Sequence, residues 1–424
     1  MFKFDKYKIC VIGLGYVGLP LALEFSKKFE VVGFDLSKSR VNSLNKNIDD
    51  NFETNSKLIN KNIIFTSDDK KIINCNIYII AVPTPIDKKN NPDISSLKKA
   101  SKFVGKLIKK KDIVVIESTV YPGCTRKDCV PLIAAISNLI PNKDFYFGYS
   151  PERINPGDKI HTLTKIKKVI SASDKKTLKK LNYLYGSIIK AGLHLAPSIE
   201  IAEAAKVIEN TQRDLNIAFM NELSMIFDKL NIPTKDVLEA SSTKWNFLNF
   251  KPGLVGGHCI GVDPYYLSHI SKLNGYQPNY LISGRRVNDQ MAKNMSKKII
   301  KLAKKNKISS NCNILILGLT FKENVSDIRN SKVFDIINIL KKNFKNLRAY
   351  DPFVNKTDLE SKYQDLLLKQ KPKNLINFDI IVFAVAHKVF FKLYQNKLNK
   401  FNSRKKILVD LTLKLDRKIV DISF

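Results

Sequence analysis

A Gly-x-Gly-x-x-Gly pattern at residues 13–18 constrains the fold of this chain more than any other feature. The apolar run at 8–12 directly before it predicts a short buried strand, and the stretch at 20–28 directly after it predicts an amphipathic helix. A second apolar run at 31–34 predicts another strand. A strand, a glycine-rich turn, a helix and a strand make a βαβ unit, so this segment is predicted to start a parallel sheet.

The same segment has the pattern of a dinucleotide-binding turn. Gly13 permits a tight turn, Gly15 lets a pyrophosphate approach the backbone, and Gly18 allows the helix to pack against the strand. The helix N-terminus favours the phosphate charge. Asp35, 17 residues after Gly18, is placed to accept ribose hydroxyls, which favours NAD over NADP. The alternative is a glycine-rich turn that binds no ligand.

Three further residues are included in the predicted cofactor site. Tyr16 and Val17 lie inside the turn itself. Arg40 follows Asp35 closely in the chain, and an arginine there can serve a 2′-phosphate or stack on the adenine face. Arg40 therefore makes the preference for NAD less sharp than Asp35 alone would.

The rest of the chain alternates between predicted strands and helices. Apolar runs at 77–82, 112–117 and 145–149 are separated by helical segments, which is typical of a doubly wound parallel sheet. Apolar and small residues then recur with a helical period over 198–230. This pattern predicts one long helix, with Ser198 as its N-cap and an end near Pro233.

A second α/β block begins at 313–318. Its later strands are predicted at 347–350, 379–385 and 407–411. The predicted fold class is therefore α/β, with two Rossmann-like, doubly wound parallel-sheet domains joined by a helical central domain that contains the long helix.

The chain is strongly basic, with 72 Lys and Arg against 39 Asp and Glu and a formal charge of +33. Such a charge suits nucleic acid, an anionic membrane surface or phosphorylated small molecules. The lysines, however, are spread along the chain in short clusters such as 109–111, without a recognition helix, a zinc finger or an aromatic-interleaved RNA-binding pattern. We interpret most of the charge as solvated surface and expect no nucleic-acid partner.

The sequence also predicts where the protein resides. Glycines interrupt the first apolar stretch and no small-residue cleavage site follows, so we expect no signal peptide. The apolar runs are all much shorter than the roughly 20 residues that span a bilayer, so we expect no membrane partner. Scattered cysteines without a CxxC pair indicate free thiols and a cytoplasmic protein. These cysteines are Cys10, Cys75, Cys124, Cys129, Cys259 and Cys312.

Cys259 is a candidate nucleophile. It follows a loop with three glycines, Gly253, Gly256 and Gly257, and Asp263 lies four residues further on. A thiolate is a strong nucleophile, but it needs an accessible, polar setting. The alternative is a small buried thiol, which is the commonest state of a free cysteine. The loop alone leaves both interpretations open.

The predicted long helix carries a second candidate group. Lys206 and Asn210 are four residues apart and share one face, with Arg213 about one turn further along. A cation beside an amide suits stabilisation of a developing oxyanion. A solvated helix face is the alternative, and periodicity does not decide between the two.

Seven segments, in the same order along the chain, resemble the nucleotide-sugar 6-dehydrogenases of the UDP-glucose/GDP-mannose dehydrogenase family. The resemblance covers essentially the full length. The segments are GLGYVGLPLA from Gly13, AVPTP from Ala81, ESTVYPG from Glu117, SPERINPGD from Ser150, EAAKVIENTQRDLNIAFMNE from Glu203, PGLVGGHCIGVDPYYL from Pro252 and GLTFKENVSDIRNS from Gly318.

This resemblance implies a four-electron oxidation. Enzymes of the family oxidise C6 of a nucleotide-bound hexose from alcohol to acid with two NAD⁺ in succession. Cys259 matches the family's catalytic cysteine, which implies that the aldehyde forms a thiohemiacetal with it. The second hydride then leaves a thioester, which water hydrolyses. A covalent sulfur explains how one site performs both steps without releasing an aldehyde.

Other catalytic positions are implied in the same way. Lys206 and Asn210 match the residues that hold the C6 oxygen and its developing charge. Asp263 matches a carboxylate that assists proton transfer, and Thr119 a residue that positions water. Glu152 matches the glutamate associated with thioester hydrolysis.

The resemblance also implies binding residues. Pro83 and Thr84 would line the cofactor cleft, together with Thr119, and Arg329 would contact NAD. Lys322 matches a lysine that reaches the nucleotide-sugar. The full implied substrate set is Glu152, Arg153, Lys206, Asn210, Phe247, Asn249, Gly256 and Lys322.

Departures from the family pattern bear on the substrate. UDP-glucose dehydrogenases carry Ser before the catalytic cysteine and Lys before the aspartate, whereas this chain has His258 and Val262. Together with the TKWNF segment at 243–247, this resembles the branch that acts on UDP-N-acetylhexosamines. A second glutamate of the UDP-glucose enzymes is replaced by Pro156, which puts in doubt any mechanism that needs two carboxylates in that loop.

We therefore predict an NAD-dependent dehydrogenase that converts a UDP-N-acetylhexosamine, of the glucosamine or galactosamine type, to its uronate for surface polysaccharide synthesis. UDP-glucose or UDP-N-acetylmannosamine oxidation is the alternative on the same scaffold, and a non-catalytic NAD-sensing or nucleic-acid-binding protein is the alternative of a different class. No metal is expected.

The resemblance implies a role for each predicted domain. We expect an NAD-binding domain over 1–197, a helical dimerisation domain with the cysteine loop over 198–306, and a UDP-sugar-binding domain over 307–424. The resemblance also implies a homodimer with the long helix at its core.

Overall fold

The structure, a computed structural model, describes residues 7–50, 62–153, 160–257, 259–399, 401 and 406–424. His258 and Pro156, on which part of the substrate prediction depends, lie outside the described residues. The chain divides into two compact units, Met1–Glu209 with Tyr265–Gln277, and Asn210–Pro264 with Pro278–Phe424. The division predicted at 197 and 306 remains a prediction.

A sheet of eight strands forms the centre of the first unit. Its strands are β1 Lys8–Ile12, β2 Glu30–Phe34, β3 Ile63–Thr66, β4 Ile77–Ile80, β5 Ile113–Ile116, β6 Tyr146–Tyr149, β7 Lys168–Ala172 and β8 Leu193–Leu195. Their order is β3-β2-β1-β4-β5-β6-β7-β8. The strands predicted at β1, β2, β4, β5 and β6 are confirmed, whereas β3, β7 and β8 were not predicted from the sequence.

The middle of this sheet is covered on both faces. All residues of β4 and β5 are buried, and all but Tyr78 are isoleucine or valine, as expected for parallel strands between two helical layers. The helices of this unit that precede the long helix are α1 Gly18–Ser26, α2 Lys38–Asn45, α3 Ser95–Gly105, α4 Val130–Ser137 and α5 Lys175–Gly186.

One strand pair departs from the parallel arrangement. The strands from β3 to β6 run parallel, but β7 is antiparallel to β6. Parallel strands all end at one edge of a sheet, which is where α/β proteins bind ligands. Because β7 runs the other way, its first residue, Lys168, lies at the edge where β5 and β6 end.

The predicted long helix is confirmed as α6, Ile199–Leu230, with 32 residues. The hydroxyl oxygen of Ser198 accepts the N–H of Ile201 at 3.2 Å, which confirms the predicted N-cap. Asn231 adopts a left-handed conformation with φ 57°, and the helix ends there. The next helices are α7 Thr234–Ser242, α8 Asp263–Leu273 and α9 Asn279–Lys305.

A sheet of five parallel strands forms the centre of the second unit. The strands are β9 Asn313–Leu317, β10 Asn346–Tyr350, β11 Ile380–Phe383, β12 Ile407–Asp410 and β13 Ile422–Ser423, in the order β10-β9-β11-β12-β13. Its helices are α10 Val333–Lys341, α11 Ser361–Gln364 and α12 Lys388–Asn399. The four strands predicted here are confirmed, and with them the α/β fold class.

The two sheets share the geometry of the turn that follows their first strand. In the first unit the N–H of Leu14 donates to the carboxylate of Asp35 at 2.8 Å. In the second unit the N–H of Leu319 donates to the carboxylate of Asp351 at 2.7 Å. Each aspartate directly follows the neighbouring strand, so both units have a Rossmann-like turn, as predicted.

Within the ranges that the structure describes, the helices are all too short or too polar to cross a membrane.

Candidate active site

The glycine-rich turn leaves open space at only one of its three glycines. A Cβ atom on Gly18 would lie 1.8 Å from the carbonyl oxygen of Gly13, and one on Gly13 would lie 2.6 Å from that of Ala81. The Cβ position of Gly15, by contrast, has no described atom within 4 Å. Gly13 and Gly18 are therefore required for packing. Gly15 leaves the approach to the start of α1 open, which fits a dinucleotide pyrophosphate.

Asp35 and Arg40 support this turn. The carboxylate of Asp35 accepts the N–H groups of Leu14 and Ser37 at 2.8 and 2.9 Å, which fixes its orientation. Nε of Arg40 donates to the carbonyl of Leu14 at 3.1 Å, and its guanidinium pairs with Asp49 at 2.7 Å. Arg40 thus has partners within the protein that hold the turn, and a contact between Arg40 and the cofactor remains a prediction.

The loops after β4 and β5 are joined by two hydrogen bonds. The hydroxyl of Thr84 donates to the carbonyl of Thr119 at 2.7 Å, and the hydroxyl of Ser118 donates to the carbonyl of Val82 at 2.7 Å. Pro83, between them, is exposed. The predicted cofactor residues of these two loops therefore lie side by side at the carboxyl edge of the sheet.

A buried glutamate fixes the loop that carries Thr119. Glu203 lies in the first turns of α6, and its carboxylate accepts the N–H groups of Gly123 and Thr125. Burial raises the pKa of Glu203 to about 7, although the bonds from Thr125 and Gly123 lower it. Sequence reasoning missed this contact because nothing in the sequence pairs a residue of α6 with a loop about 80 positions earlier.

Glu152 follows β6 and lies beside a lysine that was not predicted. Its carboxylate accepts the N–H of Arg153 at 2.6 Å and the ammonium of Lys168 at 2.7 Å. The same ammonium donates to Glu117 at 2.8 Å. The guanidinium of Arg153 pairs with Glu209 on α6. The predicted residues Glu152 and Arg153 therefore belong to a group of charges that Lys168 completes.

Three predicted catalytic residues of the second unit lie close together. Nδ2 of Asn210, which is fully buried on α6, donates to the carboxylate of Asp263 at 2.6 Å. The N–H of Asp263 donates to the carbonyl of Cys259 at 2.9 Å, one turn before α8. Oδ1 of Asn210 has no hydrogen-bond partner among the described residues, which leaves a buried acceptor open.

The exposure of the thiols separates Cys259 from the other five cysteines. All six are free and lie within the described ranges, and Cys259 is half-buried while the others are buried. A half-buried thiol meets the access requirement for a nucleophile. Lys206, one helical turn before Asn210 on α6, is buried, with 7 % of its surface exposed. Burial of a lysine argues against a solvated helix face at this position.

The cysteine loop packs tightly against the segment after β9. A Cβ atom on Gly256 would lie 2.7 Å from the carbonyl oxygen of Asn330. Gly257 has φ 83°, and a Cβ atom there would lie 2.7 Å from the ring of Phe321. Nδ2 of Asn330 also donates to the carbonyl of Gly257 at 3.3 Å. These approaches explain why glycine occupies both positions.

A cavity of about 300 Å³ lies beside this contact. Lys322, Lys332 and Lys414 line it together with a single acidic residue, Glu323, so its charge suits an anionic ligand. The hydroxyl of Ser331, also in the lining, is buried and has no hydrogen-bond partner among the described residues. A positively charged cavity with an open hydroxyl fits a nucleoside diphosphate.

The remaining predicted residues of the second unit lie near the surface. Phe247 is half-buried and Asn249 is exposed, both in the stretch that precedes the cysteine loop. Arg329 is exposed, and its guanidinium pairs with the carboxylate of Asp327, which accepts Nε at 2.9 Å and Nη2 at 2.6 Å.

An asparagine on α6 holds the start of the cysteine loop. Oδ1 of Asn221 accepts the N–H of Gly253 at 2.9 Å, and its Nδ2 donates to the carbonyl of Gly253 at 3.0 Å. Nδ2 also donates to Asn288 of α9 at 2.8 Å. Asn221 therefore satisfies both backbone groups of Gly253 and ties two helices to the loop.

The chain matches three domains of one family. Residues 7–189 match the NAD binding domain of the UDP-glucose/GDP-mannose dehydrogenase family, residues 200–290 its central domain and residues 315–417 its UDP binding domain. The chain belongs to this family, and NAD is its cofactor. The predictions of an NAD-dependent nucleotide-sugar dehydrogenase and of its cofactor are thereby confirmed.

Relatives within the family match over the whole length. The chain is 48% identical to the UDP-N-acetyl-D-glucosamine 6-dehydrogenase of Salmonella typhi, with 100% of both chains covered. It is 46% identical to the protein of the same name from Pseudomonas aeruginosa, over 98% of this chain and 99% of the other. The solved UDP-D-ManNAc dehydrogenase of Pyrococcus horikoshii has a TM-score of 0.85 and 28% identity, over 98% and 96%.

Gly15→Ala and Gly18→Ala are expected to separate cofactor binding from packing. A methyl group on Gly18 would overlap the carbonyl of Gly13, so Gly18→Ala should lower both the melting temperature and NAD affinity. A methyl group on Gly15 meets only open space within the protein, so Gly15→Ala should weaken NAD binding at least about tenfold with an unchanged melting temperature. Calorimetric titration and thermal melts measure both. Unchanged NAD affinity in Gly15→Ala would contradict the proposed pyrophosphate position.

Asn221→Ala is expected to release the cysteine loop. It leaves the N–H and the carbonyl of the half-buried Gly253 without their partners, which should lower the free energy of unfolding by about 0.5–1.5 kcal/mol for each hydrogen bond. Dehydrogenase activity should fall with stability. Asn216→Ala is the matched control, since among the described residues Asn216, on the same helix, donates only to the carbonyl of Gln212. Equal urea midpoints for the two variants would show that Asn221 does not anchor the loop.

Proposed function

We propose that this enzyme oxidises C6 of UDP-N-acetylglucosamine, or of its galactosamine epimer, to the carboxylate with two NAD⁺. The observation that carries this proposal is full-length identity of 48% and 46% to two proteins named UDP-N-acetyl-D-glucosamine 6-dehydrogenase. Identity to the UDP-D-ManNAc dehydrogenase structure is 28% over a similar length. Bound NAD⁺ supplies the hydride acceptor in each oxidation.

The proposed chemistry at C6 proceeds in four steps. A hydride and a proton leave the alcohol and give an aldehyde. The sulfur of Cys259 adds to the aldehyde carbon, and the oxygen takes up the thiol proton, which gives a thiohemiacetal. A second hydride and proton leave this group and give a thioester. Water then adds to the carbonyl, the C–S bond breaks, and the carboxylate and the thiol are released.

The contacts within the second unit support the role of Cys259. Its thiol is half-buried, and its backbone carbonyl is held by Asp263 at the start of α8. Asp263 is itself held by Asn210, so its carboxylate is oriented to accept a proton from the substrate. The open Oδ1 of Asn210 can accept a hydrogen bond from a substrate hydroxyl.

Three residues of the first unit complete the proposed scheme. Lys206 is buried and supplies the cation that stabilises the developing C6 oxyanion. Thr119 and Glu152 assist the water that hydrolyses the thioester, Glu152 as the general base. The support for Glu152 is its fixed orientation between Arg153 and Lys168.

The nucleotide is proposed to bind in the second unit. The cavity lined by Lys322 and Gly256 carries the charge that a diphosphate requires, and residues 315–417 match the family's UDP binding domain. The three family domains also support the division proposed from the sequence, with NAD bound by 1–197, the cysteine loop in 198–306 and UDP-sugar bound by 307–424.

We also propose a homodimer that forms through α6. Large apolar side chains along this helix are about half exposed, and burying them against a second copy would be favourable. They are Ile201, Ile208, Phe219, Ile226 and Leu230.

A cytoplasmic location is proposed because the six free thiols suit a reducing compartment. The product is proposed to enter surface polysaccharide synthesis.

A panel of UDP-sugars tests the substrate and the stoichiometry. UDP-N-acetylglucosamine or UDP-N-acetylgalactosamine should give the highest kcat/KM and two NADH per sugar, with UDP-N-acetylmannosamine and UDP-glucose well below. Cys259→Ala should form no acid, while Cys312→Ala, which removes a buried thiol, should keep activity. A yield of one NADH, or acid formation by Cys259→Ala, would overturn the covalent four-electron scheme.

Charge substitutions on α6 test the dimer. Light scattering should give the mass of two chains for the wild type and of one chain for Phe219→Glu combined with Ile226→Glu, because the introduced carboxylates would be desolvated at the interface. Trp245→Glu, at an exposed apolar side chain outside α6, should leave the dimer intact. A wild type of single-chain mass would contradict the proposal.

A further inference from the structure

We propose that Lys168 is a positioning residue for Glu152, which makes it necessary for thioester hydrolysis but not for the two oxidations. This inference rests on the proposed function, in which Glu152 assists the hydrolytic water. Lys168 belongs to none of the seven segments on which the family resemblance was built. Its position in the fold, and not a sequence pattern, points to this role.

The ammonium of Lys168 uses all three of its donors inside the protein. It donates to Glu152 at 2.7 Å, to Glu117 at 2.8 Å and to the carbonyl of Pro151 at 3.1 Å. Only 4 % of the residue is exposed. An ammonium with three partners in three directions has one position and cannot rotate away.

This ammonium fixes the carboxylate of Glu152 from one side, and the backbone fixes it from the other. One oxygen accepts the N–H of Arg153 at 2.6 Å and the other accepts Lys168 at 2.7 Å. Glu152 is 8 % exposed, so it is held at the border of the buried region. A general base must be held in one orientation to act on a water molecule, and these two donors provide that orientation.

Glu117 holds the opposite side of the ammonium. Its second carboxylate oxygen accepts the hydroxyl of Tyr185 at 2.5 Å, and both residues are buried. Burial raises the pKa of Glu117 to about 7, against the lowering effect of Lys168. Burial by itself would lower the pKa of Lys168, but the two carboxylates outweigh it and raise this pKa, which keeps the ammonium charged.

The register of β7 places Lys168 in this cluster. The hydroxyl of Ser150 donates to the carbonyl of Val169 at 2.9 Å, and that of Ser171 donates to the carbonyl of Tyr149 at 2.9 Å. These bonds fix the register of β7 against the end of β6, and a one-residue slip would move Lys168 to the other face of the sheet.

A purely structural ion cluster is the competing interpretation. Removing one partner of a buried ion group is strongly destabilising, because a charge is left uncompensated. On that interpretation Lys168→Met lowers stability and slows all chemical steps alike. If Lys168 positions Glu152, Lys168→Met slows thioester hydrolysis but not the two oxidations, since Glu152 acts only after both hydrides have left.

The test compares Lys168→Met with Glu152→Gln in rapid-mixing experiments with NAD⁺ and UDP-N-acetylglucosamine. Both should keep a burst of two NADH per active site, followed by steady turnover at least about tenfold slower, since a general base contributes about 10²–10⁴-fold. Mass spectrometry after an acid quench should show the acyl group on Cys259 accumulating in both. Lys168→Arg, which retains the charge, should recover part of the steady rate.

Two further variants keep the test conclusive. Tyr185→Phe removes a donor to Glu117 but leaves the contact between Lys168 and Glu152, so it should behave like the wild type. If Lys168→Met does not fold, Glu117→Gln combined with Lys168→Met removes one buried charge of each sign and should show the same burst.

The outcomes separate the inference from the function on which it rests. The positioning role would be overturned if the burst rate and the steady rate of NADH formation fell together in Lys168→Met. It would also be overturned if the steady rate of this variant equalled that of the wild type. Unimpaired hydrolysis in Glu152→Gln, or a burst of only one NADH per active site in that variant, would instead contradict the proposed function.

Discussion

Parallel strands end at one edge of a sheet, and the chemistry of the first unit depends on this constraint. The glycine-rich turn follows β1, Thr84 follows β4, Thr119 follows β5 and Glu152 follows β6. Each residue reaches the edge because its strand is largely buried and runs parallel, in register, to its neighbours. The antiparallel β7 then adds Lys168 from the opposite direction, at the place where two carboxylates would otherwise be buried without a cation.

The long helix α6 carries side chains that hold functional loops and residues within each unit. Glu203 near its start holds the loop that carries Thr119, Asn210 holds Asp263, and Asn221 holds the beginning of the cysteine loop. Within the second unit, the helix fixes the spacing between the contacts of Asn210 and Asn221, because each residue rises about 1.5 Å along one axis. Within each unit, a loop that is anchored to a helix keeps its functional side chains oriented better than a loop without such contacts.

Local patterns allowed much of this to be predicted from the sequence. The turn at 13–18, the position of Asp35 directly after β2 and the N-cap Ser198 depend on residues close to each other in the chain, and the structure has them as predicted. A contact between Asp35 and the ribose stays a prediction. Lys168 and β7 were not predicted, because nothing in the sequence distinguishes one buried lysine among 72 basic residues. Its partners Glu152 and Glu117 also lie 16 and 51 positions away in the chain. The contacts of Arg40 could not be predicted for the same reason, since the carbonyl of Leu14 to which it donates lies 26 positions away.

Covalent attachment of the substrate to Cys259 is the step on which the proposed chemistry depends. The most direct test quenches the wild-type enzyme in acid during turnover, digests it, and searches the peptides for a UDP-hexosaminuronyl group. The covalent route predicts this adduct on the peptide that contains Cys259, only when both NAD⁺ and the UDP-sugar are present, and never in Cys259→Ala. Formation of acid with two NADH per sugar and an unmodified Cys259 peptide throughout would contradict it.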